Sequence, residues 1–125
     1  MFQTNHIHPV QIYYEDTDHS GAVYHANFLR YFERAREHLL GVDVLVELLR
    51  SRGIGFVVYK AELTYKLPAH FGDSLEIHSF VTKESDYRMV FKQDVHRPRD
   101  GALLVQGIIQ LASVDSSGKL VALPI

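Results

Sequence analysis

From residue 54 onward the chain alternates strand-like runs with connections too short for a crossover helix, and this spacing restricts the fold more than any other feature of the sequence. The runs are 54–66, 75–82, 87–96, 102–114 and 120–123, rich in β-branched and aromatic residues. Between them lie LPAHFGDS, with Pro68 and Gly72 as breakers, then KESD, RPRDG and a turn from Asp115 to Gly118. Parallel neighbours need a dozen or more residues to cross over, so these connections predict antiparallel hairpins or a meander. Ahead of them stand one predicted strand, 8–14, and a helical block. The pattern is α+β, with a central helix covered by one antiparallel sheet.

The helix is predicted over 26–40. Phe28, Phe32, Ala35 and Leu39 recur at helical spacing as one apolar stripe, while Arg30, Glu33, Arg34, Arg36 and Glu37 mostly take other faces. Asn27 suits the start and Gly41 the end. A second short helix, 44–51, stops at Gly53. GFVVYK, 55–60, reads as core strand. The run 102–112 lacks clean alternation, so both of its faces should meet something. An unpaired edge on strands this long would invite aggregation, and pairing in a homodimer would cover it.

A length of 125 residues fits one domain spanning 1–125, which can bury roughly two-thirds of the surface its unfolded chain exposes. There is no cysteine, so disulfides, thiolate metal sites and cysteine nucleophiles are excluded. A net charge of -2 leaves no basic footprint for nucleic acid. No apolar run approaches the ~18 residues of a membrane span, and the N-terminus does not read as a secretory signal. A cytoplasmic protein is expected.

Chemistry concentrates in YYEDTDHSGAVYHANFLRYFERAR, residues 13–36. Gly21 permits a sharp turn after Asp18, and His25 then lies at the helix start. The first N–H groups of a helix lack partners within it and carry partial positive charge. They can stabilise an oxyanion, while a nearby carboxylate attacks the carbonyl or activates water. Acidic residues before a helix also serve as caps, and spacing does not choose among Glu15, Asp16 and Asp18. Eight histidines raise the question of a metal, but neither HxxxH nor a facial-triad spacing occurs. GxSxG, GxGxxG and a Walker loop are missing as well, so no metal and no cofactor is predicted. Arg88, Lys92, Arg97 and Arg99 can grip phosphates of an elongated ligand, or form a solvated sheet face.

The same stretch resembles the signature of hotdog-fold thioesterases of the 4-hydroxybenzoyl-CoA thioesterase class, and most of all the acyl-CoA thioesterases associated with the bacterial Tol-Pal envelope system. The matching residues are Tyr14, Thr17, Asp18, Gly21, Val23, Tyr24, His25, Tyr31, Glu33, Ala35 and Arg36; PAHFGDSLEI, 68–77, resembles the turn before a hotdog sheet strand. The resemblance implies a long helix wrapped by the sheet, dimers joined sheet edge to sheet edge or paired again as dimers of dimers, and active sites at the subunit interface. It maps the catalytic aspartate onto Asp18 and the acyl-side position onto His25. Backbone N–H groups of His25 and Ala26 become the oxyanion hole, with Tyr14, Gly21 and Arg88 as substrate contacts. The implied reaction is hydrolysis of an acyl-CoA, with acyl carrier protein as another possible donor. Two alternatives stand beside it: a hydratase or dehydratase of acyl thioesters, and a non-catalytic acyl-CoA-binding protein.

Overall fold

The structure is a computed structural model and describes residues 3–125. Its centre is helix α1, Asn27–Leu40, and the stripe Phe28, Phe32, Ala35 and Leu39 is buried along its whole length. The helix ends where Gly41 takes φ 102, a conformation that side-chain-bearing residues avoid, with its N–H on the Glu37 carbonyl. A short helix α2, Val42–Glu47, follows and continues into one π-helical turn, Leu48–Arg52.

Six strands form one sheet around α1: β1 Asn5–Gln11, β2 Gly55–Tyr65, β3 Ser74–Lys83, β4 Arg88–Arg97, β5 Ala102–Val114 and β6 Leu120–Val121. The spatial order is β1-β3-β4-β5-β2, and every pairing is antiparallel. The hairpins β3–β4 and β4–β5 are those the short connections predict. Strand β6 pairs with Ser113 and Val114, beyond the point where β4 stops at Ala112. At each end of the order lies a strand whose partner is distant in sequence: β1 against β3, and β2 against β5.

Three expectations change. The first strand is 5–11 rather than 8–14, because Tyr14–Asp16 winds into a 3-10 turn. The Asp16 carboxylate closes that turn by accepting the Tyr13 N–H at 2.7 Å. GFVVYK is an edge strand, not core; Val57, Val58 and Tyr59 are 43–46% exposed. Arg36, expected on a polar face, is 6% exposed. Its Nη1 donates to Gln93 Oε1 at 3.1 Å, and Gln93 Nε2 donates to the Phe32 carbonyl and Ser79 Oγ at 3.0 and 2.9 Å. This buried amide therefore joins the helix to two neighbouring strands.

The irregular run in β5 has a local cause. Val95 pairs with Val105 and His96 with Leu103, so Leu104 is an extra residue in a bulge. Leu104 and Val105 are consequently both buried although adjacent. Close approach of helix and sheet depends on Gly107, where an added Cβ would lie 2.7 Å from Phe32 Cε2.

Candidate active site

The loop between the 3-10 turn and α1 begins as a small hydrogen-bonded hairpin. Thr17 bridges Val23, the Asp18 N–H donates to the Ala22 carbonyl at 2.8 Å, and the Gly21 N–H returns to the Asp18 carbonyl at 3.1 Å. Gly21 turns the chain at φ 82, where a side chain would be strained. The hairpin is docked on the turn before β3: the Val23 N–H reaches the Ala69 carbonyl at 2.8 Å, and Ala22 bridges His70. Arg97 braces that turn from the side, gripping Asp100 through Nε and Nη2, and Asp73 and the Pro68 carbonyl through Nη1. Arg97 is thus a structural clamp rather than a free phosphate ligand.

Two of the three acidic residues that spacing leaves equivalent, Asp16 and Asp18, are distinguished by their contacts. Asp16 is engaged in the 3-10 turn, and its carbonyl accepts the Tyr24 N–H and Asn27 Nδ2 at 3.0 and 2.9 Å. Asn27 is therefore a brace to the loop, not a helix cap. Asp18 has one oxygen on the Ser20 hydroxyl at 2.6 Å and the Ser20 N–H at 2.8 Å. It is solvent-exposed within the single chain. Those two bonds, the hydroxyl first, hold its carboxyl below the usual carboxylate range, so it is ionised at neutral and mildly acidic pH. Ser20→Ala removes the larger cause. We expect the Asp18 carboxyl, followed by carbon-13 NMR titration, to move up towards the ordinary value of about 4; an unmoved titration would show that the hydroxyl does not set it.

Past the loop, residues 24–26 wind into the helix and use up its first donors. The N–H groups of Asn27, Phe28 and Leu29 reach the carbonyls of Tyr24, His25 and Ala26 at 2.9, 3.4 and 3.2 Å. The free donors of the helix start are thereby displaced backwards. Among the described residues, the N–H groups of His25 and Ala26 meet no acceptor. Beside His25 lies a cleft of about 300 Å³ lined by Val23, His25, Phe28, Tyr65, Leu67 and Pro68, among others. Tyr65, at the end of β2, donates its hydroxyl to the His25 carbonyl at 2.9 Å. Sequence reasoning missed this residue, since nothing in the local pattern of β2 signals a contact 40 residues away.

The other predicted positions are not gathered here within one chain. Tyr14 is 77% exposed, with its ring edge against Phe71 at 5.7 Å. The Arg88 guanidinium lies over the Tyr59 ring at 5.7 Å. Arg88 pairs with Ala112 and Tyr65 with Val105, seven residues apart on β5, or roughly 23 Å at ~3.3 Å per residue. Among the described residues no three His, Asp or Glu side chains converge as a metal site would require.

A long helix held in a single antiparallel sheet, with a glycine hairpin presenting a carboxylate and open N–H groups at the helix start, defines a hotdog protein of the thioesterase type. Residues 13–124 match the Thioesterase-like superfamily, and the chain belongs to it. Acyl-CoA thioester hydrolase YbgC of Escherichia coli O6:H1 is 35% identical over 108 residues, which cover 86% of this chain and 80% of that protein. Acyl-CoA thioesterase YbgC of Haemophilus influenzae is 35% identical over 109 residues, covering 86% and 79%. Among solved structures, a probable thioesterase from Bartonella henselae superposes with a TM-score of 0.87 at 29% identity, over 96% of this chain and 99% of that one.

Proposed function

We propose that this protein hydrolyses the thioester bond of an acyl-CoA, releasing a free acid and CoA. The observation that carries the reading is the pair of unengaged N–H groups at His25 and Ala26, at the helix start that directly follows the hairpin bearing the ionised Asp18. The thioester oxygen accepts from these two donors. Asp18 either attacks the carbonyl carbon, forming an anhydride that water then cleaves, or takes a proton from the attacking water. In both routes the tetrahedral oxyanion collapses with departure of the CoA thiolate. Base action contributes about 10²–10⁴ and an oxyanion donor about 10²–10³, so the two must act together to give a competent enzyme. The His25 ring, tilted against Tyr24 at 4.6 Å, orients water or substrate.

The same proposal includes a homodimer formed along β2. This edge is 11 residues long and carries exposed Val57, Val58 and Tyr59, the kind of unpaired strand that a second copy covers. Antiparallel pairing of two such edges turns the Gly55 end of one copy towards the Tyr65 end of the other. Arg88 belongs to the Gly55 end, because Ala112 and Val114 are near neighbours on β5. A second copy would thus bring an arginine towards a site that one chain leaves without it; Tyr14 and Gly21 complete the proposed substrate contacts. The reading extends to dimers of dimers, and sedimentation distinguishes these states from a monomer. A cytoplasmic location belongs to this reading, and cell fractionation tests it.

The deciding experiment is a panel of acyl-CoA chain lengths, with an acyl carrier protein thioester alongside, read by release of free thiol. Hydrolysis of at least one acyl-CoA well above the buffer rate is expected. Absence of thiol release from every member of the panel would sink the proposal.

A further inference from the structure

The two proposed oxyanion donors sit in consecutive peptide groups, and each group is fixed from its carbonyl side. The Tyr24 carbonyl, in the peptide that carries the His25 N–H, accepts the Asn27 N–H at 2.9 Å. The next peptide is held less firmly by the backbone, since the Phe28 N–H reaches the His25 carbonyl at 3.4 Å, beyond the usual N–H···O range. The Tyr65 hydroxyl supplies what is missing, at 2.9 Å to the same oxygen. In a planar trans peptide the C=O and N–H point in opposite directions. A group that fixes the His25 carbonyl therefore fixes the direction of the Ala26 N–H, which has no acceptor among the described residues.

We infer that Tyr65 is a positioning residue for thioester hydrolysis, its hydroxyl aiming and polarising the Ala26 N–H through the His25–Ala26 peptide; the inference rests on the reading of that N–H as an oxyanion donor. A hydrogen bond to the carbonyl draws electron density through the amide and makes its N–H a stronger donor, the cooperative effect seen in hydrogen-bonded chains. The aim matters at least as much, because an oxyanion hole works by dipoles already oriented before charge develops. Tyr65 is 47% exposed in the single chain, and its contacts hold it on one side. It ends β2, and its ring meets the edges of Phe28 at 6.0 Å and His25 at 6.1 Å. Burial pushes its phenol up from the ordinary value, so the hydroxyl remains a donor throughout the neutral range.

The ring and the hydroxyl can be separated. Tyr65→Phe keeps the aromatic contacts and deletes only the donor. Steady-state kinetics on an acyl-CoA that the wild type hydrolyses should give a kcat about 5–20-fold lower, a fraction of the 10²–10³ lost when such a donor is removed outright. KM, melting temperature and sedimentation should stay at wild-type values, and the Ala26 amide should shift in a proton–nitrogen correlation spectrum. Fluorinated tyrosines at position 65, chosen to stay protonated at the assay pH, should raise kcat as the phenol becomes more acidic. A Tyr65→Phe kcat within twofold of wild type overturns the inference while leaving the thioesterase reading intact. So does a kcat loss matched by a fall in melting temperature or by dissociation of the assembly, which would reveal a packing role. A wild-type protein inactive on the whole acyl-CoA panel removes the thioesterase reading, and the inference with it.

Discussion

Replacing Asp18 by asparagine should lower acyl-CoA hydrolysis by about 10²–10⁴ while leaving the melting temperature unchanged. The amide oxygen of asparagine can still accept the Ser20 N–H and hydroxyl that the carboxylate now accepts at 2.8 and 2.6 Å. The hairpin itself is closed by backbone bonds, from Asp18 to Ala22 and from Gly21 to Asp18, which do not involve the side chain. What disappears is the negative charge, and with it both the nucleophile and the base. The side chain is solvent-exposed in the single chain, so little folding energy rests on it. Near-normal turnover by Asp18→Asn would remove the mechanism, whatever else the variant did. Single turnover in oxygen-18 water then separates the two routes for the wild type. Label in the Asp18 carboxylate identifies the anhydride path, and label confined to the product acid identifies general base catalysis.

The largest effect on stability is expected from Gln93→Met. Gln93 is fully buried, and its one amide satisfies the Arg36 guanidinium, the Phe32 carbonyl and the Ser79 hydroxyl. Methionine matches it in length and shape but leaves those groups without their partner. Leaving a buried polar group unsatisfied costs about 1–3 kcal/mol, and more when the group is charged as Arg36 is. Burial already pulls Arg36 below the ordinary guanidinium value, with Glu33 and Glu37 pushing the other way. The double variant Arg36→Met, Gln93→Met removes the stranded charge and should recover a large part of the loss in urea titrations, since apolar replacement of a buried polar set is often close to neutral. A Gln93→Met protein as stable as wild type would mean that water or Glu33 satisfies Arg36 instead. A double variant less stable than the single one would mean that Arg36 contributes mainly through its packing, including its place 5.9 Å from the Phe91 ring centre.

The helix and strands β2 to β5 lie within about a residue or two of where pattern, composition and turn residues put them, because these are local properties of each element and its connections. The first strand departs from its hydrophobic pattern for a reason that is also local but harder to read. Val10, Ile12 and Tyr14 alternate as a strand would, yet the Asp16 carboxylate captures the Tyr13 N–H and winds 14–16 into a turn. Side-chain capture of a backbone donor competes with the sheet, and hydrophobic pattern does not register it. At the site, the contacts of Asp16 and Asp18 distinguish two carboxylates that spacing alone leaves equivalent. Arg97 shows the reverse case: as a sequence feature it resembles a phosphate ligand, and in the fold it is occupied by Asp73, Asp100 and the Pro68 carbonyl.

By itself the sequence determined the elements, their antiparallel connections and the chemical content of the loop from Tyr13 to the helix start. Tertiary structure alone decided which strands become edges, so that GFVVYK lies open at one side of the sheet rather than inside it. It also decided the partners of the buried and site groups: Arg36 meets Gln93 across 57 residues, and Tyr65 meets the His25 carbonyl across 40. The physical reason is the same for both. A periodic pattern reports which face of an element must leave water, whereas the surface that covers that face, or the donor that reaches a given carbonyl, depends on which distant segments the closing of the sheet brings alongside.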